Sequence, residues 1–149
     1  MQKGHSHNYF GSYRDFWWNK SFLDLTAQRL ELHQFSKMLD VGCGQGHWTK
    51  TLAPYLAQKA NVTAIDNDIN WFENNSDLEN YFKLSNIEFS LKKGDAENLP
   101  FEDETFDFVT CQTVLIHLKN NKKALREMTR VLKPNGLLLC VEPNNIVQT

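Results

Sequence analysis

Three glycines in five residues, Gly42-Cys43-Gly44-Gln45-Gly46, follow the apolar run Met38 to Val41 and precede a helical pattern that begins at His47. Glycines let a chain turn sharply where a Cβ would clash, and they let a ligand come close to the backbone. The helix that follows presents free N–H groups and the positive end of its dipole. That combination suits a nucleotide or a carboxylate-bearing ligand. Asp66 ends a second apolar run, twenty residues after Gly46. A carboxylate so placed can accept both hydroxyls of a ribose. The alternative is an ordinary helix N-cap, a task for which Asn67 and Asp68 are better placed. Asp40 stands at a strand end just before the glycines, where its side chain can also cap the turn.

The glycine spacing bears on the ligand. A dinucleotide fingerprint reads G-x-G-x-x-G, with the last glycine allowing close packing of the helix. Here the third glycine comes one residue early, at Gly46, and the fingerprint position falls on His47. That mismatch counts against a pyrophosphate.

Other reactive residue types are scattered. Cys111 and Gln112 end a later strand, at the edge of a sheet where α/β proteins hold ligands. Cys111 has no basic neighbour in sequence to activate it as a nucleophile. His117 is a lone histidine, either a general base or a structural residue. His5 and His7 lie in a polar leading segment that reads as a loose tail, with metal binding as the rival reading. The three cysteines are far apart and lack zinc spacing, so neither a metal centre nor a disulfide framework is expected.

These residues need elements to position them. Ser12-x-x-Asp15 and Ser21-x-x-Asp24 resemble capping boxes, and one or two amphipathic helices are expected over 14–35. That segment is rich in aromatics, including Tyr13, Trp17 and Trp18. It reads either as packing against a sheet or as a lid over a ligand, with residues 1–35 set apart from a core over 36–149. A helix over 47–59 should end or kink near Ala53, because Pro54 removes a donor and clashes with the preceding turn. Strands are expected at Asn61 to Asp66, Asn86 to Lys92, Phe106 to Cys111 and Leu137 to Val141. Helices are expected over 69–84, with a second start at Ser76, and over 122–132. Lys133 to Gly136 reads as a turn. Strands alternating with helices imply right-handed crossovers and a parallel sheet covered on both faces.

Bulk properties narrow the function. The 149 residues suffice for one domain. Hydrophobic content of 41% and charged content of 23% are ordinary for a globular protein. The net charge of −2 and the short basic clusters Lys92-Lys93 and Lys122-Lys123 argue against a nucleic-acid partner. The longest apolar stretch is too short to span a bilayer, and the N-terminus lacks a secretory h-region, so a cytoplasmic location is expected.

Five ordered segments then make a specific resemblance. Leu39-Asp40-Val41-Gly42-Cys43-Gly44-Gln45-Gly46 resembles motif I of class I S-adenosylmethionine (SAM)-dependent methyltransferases. Ala64-Ile65-Asp66 resembles the acidic motif of the second strand. Gly94-Asp95-Ala96-Glu97-Asn98-Leu99-Pro100-Phe101 resembles the GDAxxLPF loop. Phe106 to Val109 with Leu115 to Leu118 resembles FDxV…LHHL, and Arg130 to Gly136 the RVLKPGG turn. The similarity runs from about Met38 to Pro143, in the style of the quinone-biosynthesis and small-molecule branch.

The resemblance implies an α/β, Rossmann-like three-layer sandwich with a mostly parallel sheet in order 3-2-1-4-5. It implies SAM as cofactor, S-adenosyl-L-homocysteine as product and a small-molecule methyl acceptor. Gly42, Gly44 and Gly46, with Cys43 in the turn, would lie against the methionyl part, and Asp40 would help orient its amino end. Asp66 and Asn67 would serve the ribose. Asp95 would accept from the adenine amine and the Ala96 amide donate to the ring, the alternative for Asp95 being an Asx-turn. The backbone of Cys111 and Gln112 would border the methionine end, and His117 the acceptor pocket. Trp18, by cation–π contact, and Arg14, by its charge, are further cofactor candidates.

The family normally continues past the fifth strand with a helix and two more strands. A fifth strand left at the edge would invite pairing. The chain is therefore expected to be part of a longer protein, or to self-associate across that edge. A SAM-binding module without turnover and a nicotinamide-dependent oxidoreductase are the rival functions.

Overall fold

The computed structural model describes residues 18–68, 70 and 76–143. Five strands form one sheet in the order β3-β2-β1-β4-β5. They are β1 (Lys37–Val41), β2 (Asn61–Asp66), β3 (Glu88–Lys93), β4 (Phe106–Gln112) and β5 (Leu132–Val141). Every adjacent pair is parallel. The helices are α1 (Lys20–Arg29), α2 (His47–Leu52), α3 (Ser76–Leu84) and α4 (Asn121–Arg130). This is the expected Rossmann-like α/β architecture.

Strand alternation divides the core between the two faces of the sheet. Met38, Val62 and Phe108 face one way and pack with Leu32, Leu52 and Phe82 from the α1, α2 and α3 side. Leu39, Val41, Ile65 and Val109 face the other way, against Ala124 and Met128 of α4. The central strands are apolar on both faces, as a doubly covered parallel sheet requires.

Several local readings are corrected. The N-cap of α1 is Asn19, whose side chain accepts from the Phe22 amide at 3.2 Å, rather than Ser21. Asn19 has the extended backbone that a cap needs, whereas Ser21 lies inside the helix. α2 stops at Leu52 and passes into a 3-10 turn over Ala53–Tyr55, as Pro54 dictates. β5 begins at Leu132, so Lys133 to Gly136 belong to the strand rather than to a turn before it. The segment still bends: the register shifts between Phe106 and Phe108, and Asn135 sits at φ 63°. Asparagine tolerates that conformation because its short polar side chain bonds locally.

The strand starts are tied together far from the carboxyl edge. Asp107 accepts from the Ser36 and Lys37 amides and from the Ser36 hydroxyl. The Asp of the FDxV segment therefore joins β4 to β1 at the amino end and is no part of a site. α1 is docked by the Tyr55 hydroxyl, which donates to Asp24 at 2.7 Å.

Candidate cofactor site

The bend after β1 is held by its neighbour strand. The Gly42 and Cys43 amides both donate to the Ile65 carbonyl, at 2.7 and 3.0 Å. Gly42, Gly44 and Gly46 have φ of 72°, 51° and 77°, a region glycine enters without steric cost. Their surroundings differ. A Cβ on Gly42 would lie 2.5 Å from a methyl of Val114, and one on Gly46 would lie 2.5 Å from a methyl of Leu78 in α3. A Cβ on Gly44 would meet nothing within 4 Å. Two glycines thus permit close packing, and the middle one opens on free space.

Asp66, at the end of β2, closes the other side. Its carboxylate accepts from the Gly44 amide at 2.8 Å and from the Asp68 amide at 3.0 Å. Burial is the main influence on its pKa and raises it, while those amide bonds pull the other way. Asp40 lies beneath the bend, buried and bonded to the Thr49 hydroxyl of α2. Burial first, and the nearby Asp66 charge second, push its pKa up to about 7, against the opposing pull of the Thr49 bond. Among the described residues, no lysine or arginine ion-pairs with either acid. Two buried acids beside an open glycine favour a cationic ligand group and oppose a diphosphate. The open side of Gly44 beside the two carboxylates leaves room for such a group.

The GDA loop is anchored next to this pair, since the Gly94 amide donates to the Asp66 carbonyl at 2.9 Å. Asp95 is exposed, and one of its oxygens accepts from the Glu97 amide at 2.8 Å, which is the Asx-turn arrangement. Ala96 is half-buried beside it. Asn67 follows Asp66 in an exposed bend.

Arg130 fixes the far end of that loop. Its guanidinium donates to the Leu99 and Phe101 carbonyls and pairs with Glu127 and Asp103. Glu127 in turn accepts from the Leu99 amide. Arg130 beside Glu127 holds that carboxylate below its ordinary range. The arginine of the RVLKP segment is thus a brace for the loop, a role that only its distance from residues 99–103 in sequence conceals.

On the β4 side, Cys111 is fully buried and lies opposite Cys140 of β5. The neighbouring Cys140 thiol, with burial, pushes the Cys111 thiol up and disfavours its thiolate. Gln112 is half-buried at the strand end. His117 is exposed, in the 3-10 turn Leu115–His117 that follows.

Trp18 is placed elsewhere. Its ring packs on Trp48 with centroids 5.0 Å apart. It walls an apolar cavity of about 130 Å³ with Phe22, Leu52, Leu139 and Val141, and no residue of the bend lines that cavity. Arg14, Tyr13, Trp17, His5 and His7 lie outside the described residues. The structure thus brings together Asp40, Gly42, Cys43, Gly44, Gly46, Asp66 and the GDA loop, and sets Trp18 into helix packing.

Residues 39–140 match the family model described as a methyltransferase domain. The chain belongs to the methyltransferase domain family. This methyltransferase domain is 40% identical over 113 residues to a demethylmenaquinone methyltransferase of Staphylococcus epidermidis, covering 76% of the chain and 45% of that protein. It is 35% identical over 124 residues to one from Bacillus cereus, covering 83% and 52%. The domain therefore spans about half the length of these curated relatives. The YcgJ protein of Bacillus subtilis superposes with a TM-score of 0.68 at 32% identity, over 83% of this chain and 51% of that one. A SAM-dependent methyltransferase from Aquifex aeolicus shares the fold, with a TM-score of 0.72 at 23% identity, over 92% and 74%.

Proposed function

We propose that this chain is the cofactor-binding half of an enzyme that moves a methyl group from SAM to a small-molecule acceptor of the reduced-quinone class. The observation that carries the reading is the pairing of Gly44, open on its Cβ side, with the buried carboxylate of Asp66. The names of the quinone-methylating relatives supply the acceptor class.

When bound, SAM supplies a methyl already activated on a sulfonium. The chain's own residues bind and orient. The glycine bend lies against the aminoacyl end, with buried Asp40 and Asp66 favouring its positive charge. Asp66 spends two acceptor positions on backbone amides and keeps others for hydroxyls. Asp95 keeps its second oxygen, beside the Ala96 amide, for a purine edge. The backbone of Cys111 and Gln112 walls the β4 side. His117, exposed on the turn beyond β4, is the candidate base for a hydroxyl acceptor. Arg14, by its charge, completes the proposed cofactor contacts.

Calorimetric titration with SAM, S-adenosylhomocysteine and NAD tests the binding. Heat from the first two and none from NAD is expected; the reverse would sink the reading. Transfer of labelled methyl to a short-chain demethylmenaquinol analogue tests the acceptor, with His117→Ala expected to slow turnover while leaving S-adenosylhomocysteine binding intact. A cytoplasmic location is part of the proposal. Among the described residues, no helix is long and apolar enough to cross a membrane. Self-association across the outer edge of β5 is also proposed, and growth of the scattering mass with concentration is its test.

A further inference from the structure

Glu142 directly follows β5 and takes no part in the roles above. Its Oε1 accepts from the Val114 and Leu115 amides, both at 3.0 Å. Its Oε2 is buried and has no hydrogen-bond partner among the described residues. One carboxylate oxygen thus holds the two amides that open the turn Leu115–His117, whose N-cap residue, Val114, provides no side-chain cap.

That turn needs an external hold. Thr113 sits at φ 56°, a costly conformation for a β-branched residue. Its amide is bonded to the Val141 carbonyl at 2.8 Å, one residue before Glu142. Val114 is buried and lies over Gly42, with its methyls where a Cβ of that glycine would be. The turn after β4 and the bend after β1 therefore meet at one contact, Val114 on Gly42. Glu142 ties the Val114 side of that contact to the end of β5.

We propose that Glu142 is a positioning residue for the cofactor cleft: it holds the 113–117 turn so that Val114 closes on Gly42 and sets the shape of the glycine bend. The proposal rests on the reading of that bend as a SAM site. Only one acceptor oxygen is used, so glutamine should serve in its place and alanine should not.

The test is calorimetric titration of S-adenosylhomocysteine into the wild-type chain and into Glu142→Ala, Glu142→Gln, Val114→Ala and the Glu142→Ala/Val114→Ala double variant, with circular dichroism on each. Glu142→Ala should weaken binding about tenfold, the scale of one lost hydrogen bond to a charged group, while Glu142→Gln should stay within about threefold. Val114→Ala should also weaken binding, and the double variant should be little weaker than Glu142→Ala alone, because both act on one contact. Wild-type affinity in a folded Glu142→Ala protein overturns the proposal. So does equal damage from glutamine and alanine, or full additivity in the double variant. Should Glu142→Ala not fold, Val114→Ala decides, and wild-type affinity there overturns the proposal. A wild-type chain that binds no S-adenosylhomocysteine fails the cofactor reading itself, a result distinct from all of these.

Discussion

Asp66 reaches from the end of β2 across to the bend after β1 and accepts a hydrogen bond from the Gly44 amide at 2.8 Å. The acid proposed for the sugar and the glycine proposed for the amino-acid tail are thus locked together before any ligand arrives. Asp66→Ala removes both the lock and the proposed ribose acceptor. S-adenosylhomocysteine should bind about 10- to 100-fold more weakly, the scale of one or two hydrogen bonds to a charged group. Asp66→Asn should fall between that variant and wild type. Titration calorimetry reads the difference, and unchanged affinity in the alanine variant would falsify the assignment.

The glycines should separate into packing and binding roles. Gly44→Ala adds a methyl to open space, so its stability cost is that of a left-handed residue, about 1–2 kcal/mol. Its effect on S-adenosylhomocysteine binding should be far larger. Gly46→Ala drives a methyl into Leu78 and should cost about 1–3 kcal/mol beyond the backbone strain. Denaturant midpoints and ligand titrations on the two variants should therefore rank in opposite orders.

Asp40 imposes a pH dependence whose sign follows from its burial. Its folded pKa of about 7 lies above its ordinary value of 3.8. Between those values the folded state holds the proton more tightly than the unfolded state does. Stability from this group is present at the acid end and is lost as pH rises toward 7. The raised pKa of Asp66 acts in the same direction. Asp40→Asn keeps an acceptor for Thr49 and cannot ionise. Its thermal midpoint should fall less than that of wild type between pH 4.5 and pH 7.5, in about the window that linkage assigns. A parallel pair of curves would contradict the burial argument.

Arg130 should matter more for stability than for binding. Arg130→Ala frees the Leu99 and Phe101 carbonyls and unpairs Glu127. The side chain is partly exposed, so a loss of about 2 kcal/mol is expected rather than the sum of its bonds. Arg130→Lys should recover little of it, because an ammonium lacks the planar fork that reaches both carbonyls. Urea unfolding of the three proteins measures this.

By itself the sequence determined the alternation of strands and helices, the glycine bend, the early stop of α2 at Pro54 and the separation of core from surface. These follow from short-range physics: side-chain period, turn residues and the missing donor of proline. The order of the strands came through resemblance, because no local pattern states which strands lie side by side. Tertiary structure alone decided that Asp66 meets Gly44, that Gly46 packs on Leu78, that Arg130 braces residues 99–103 and that Glu142 holds the turn carrying Val114. Each of those contacts joins residues more than 20 positions apart in sequence, so it exists only once the register between parallel strands is set. Trp18 makes the same point in reverse. Its aromatic character left packing and a lid both open, and the packing of α1 on α2 put its ring against Trp48.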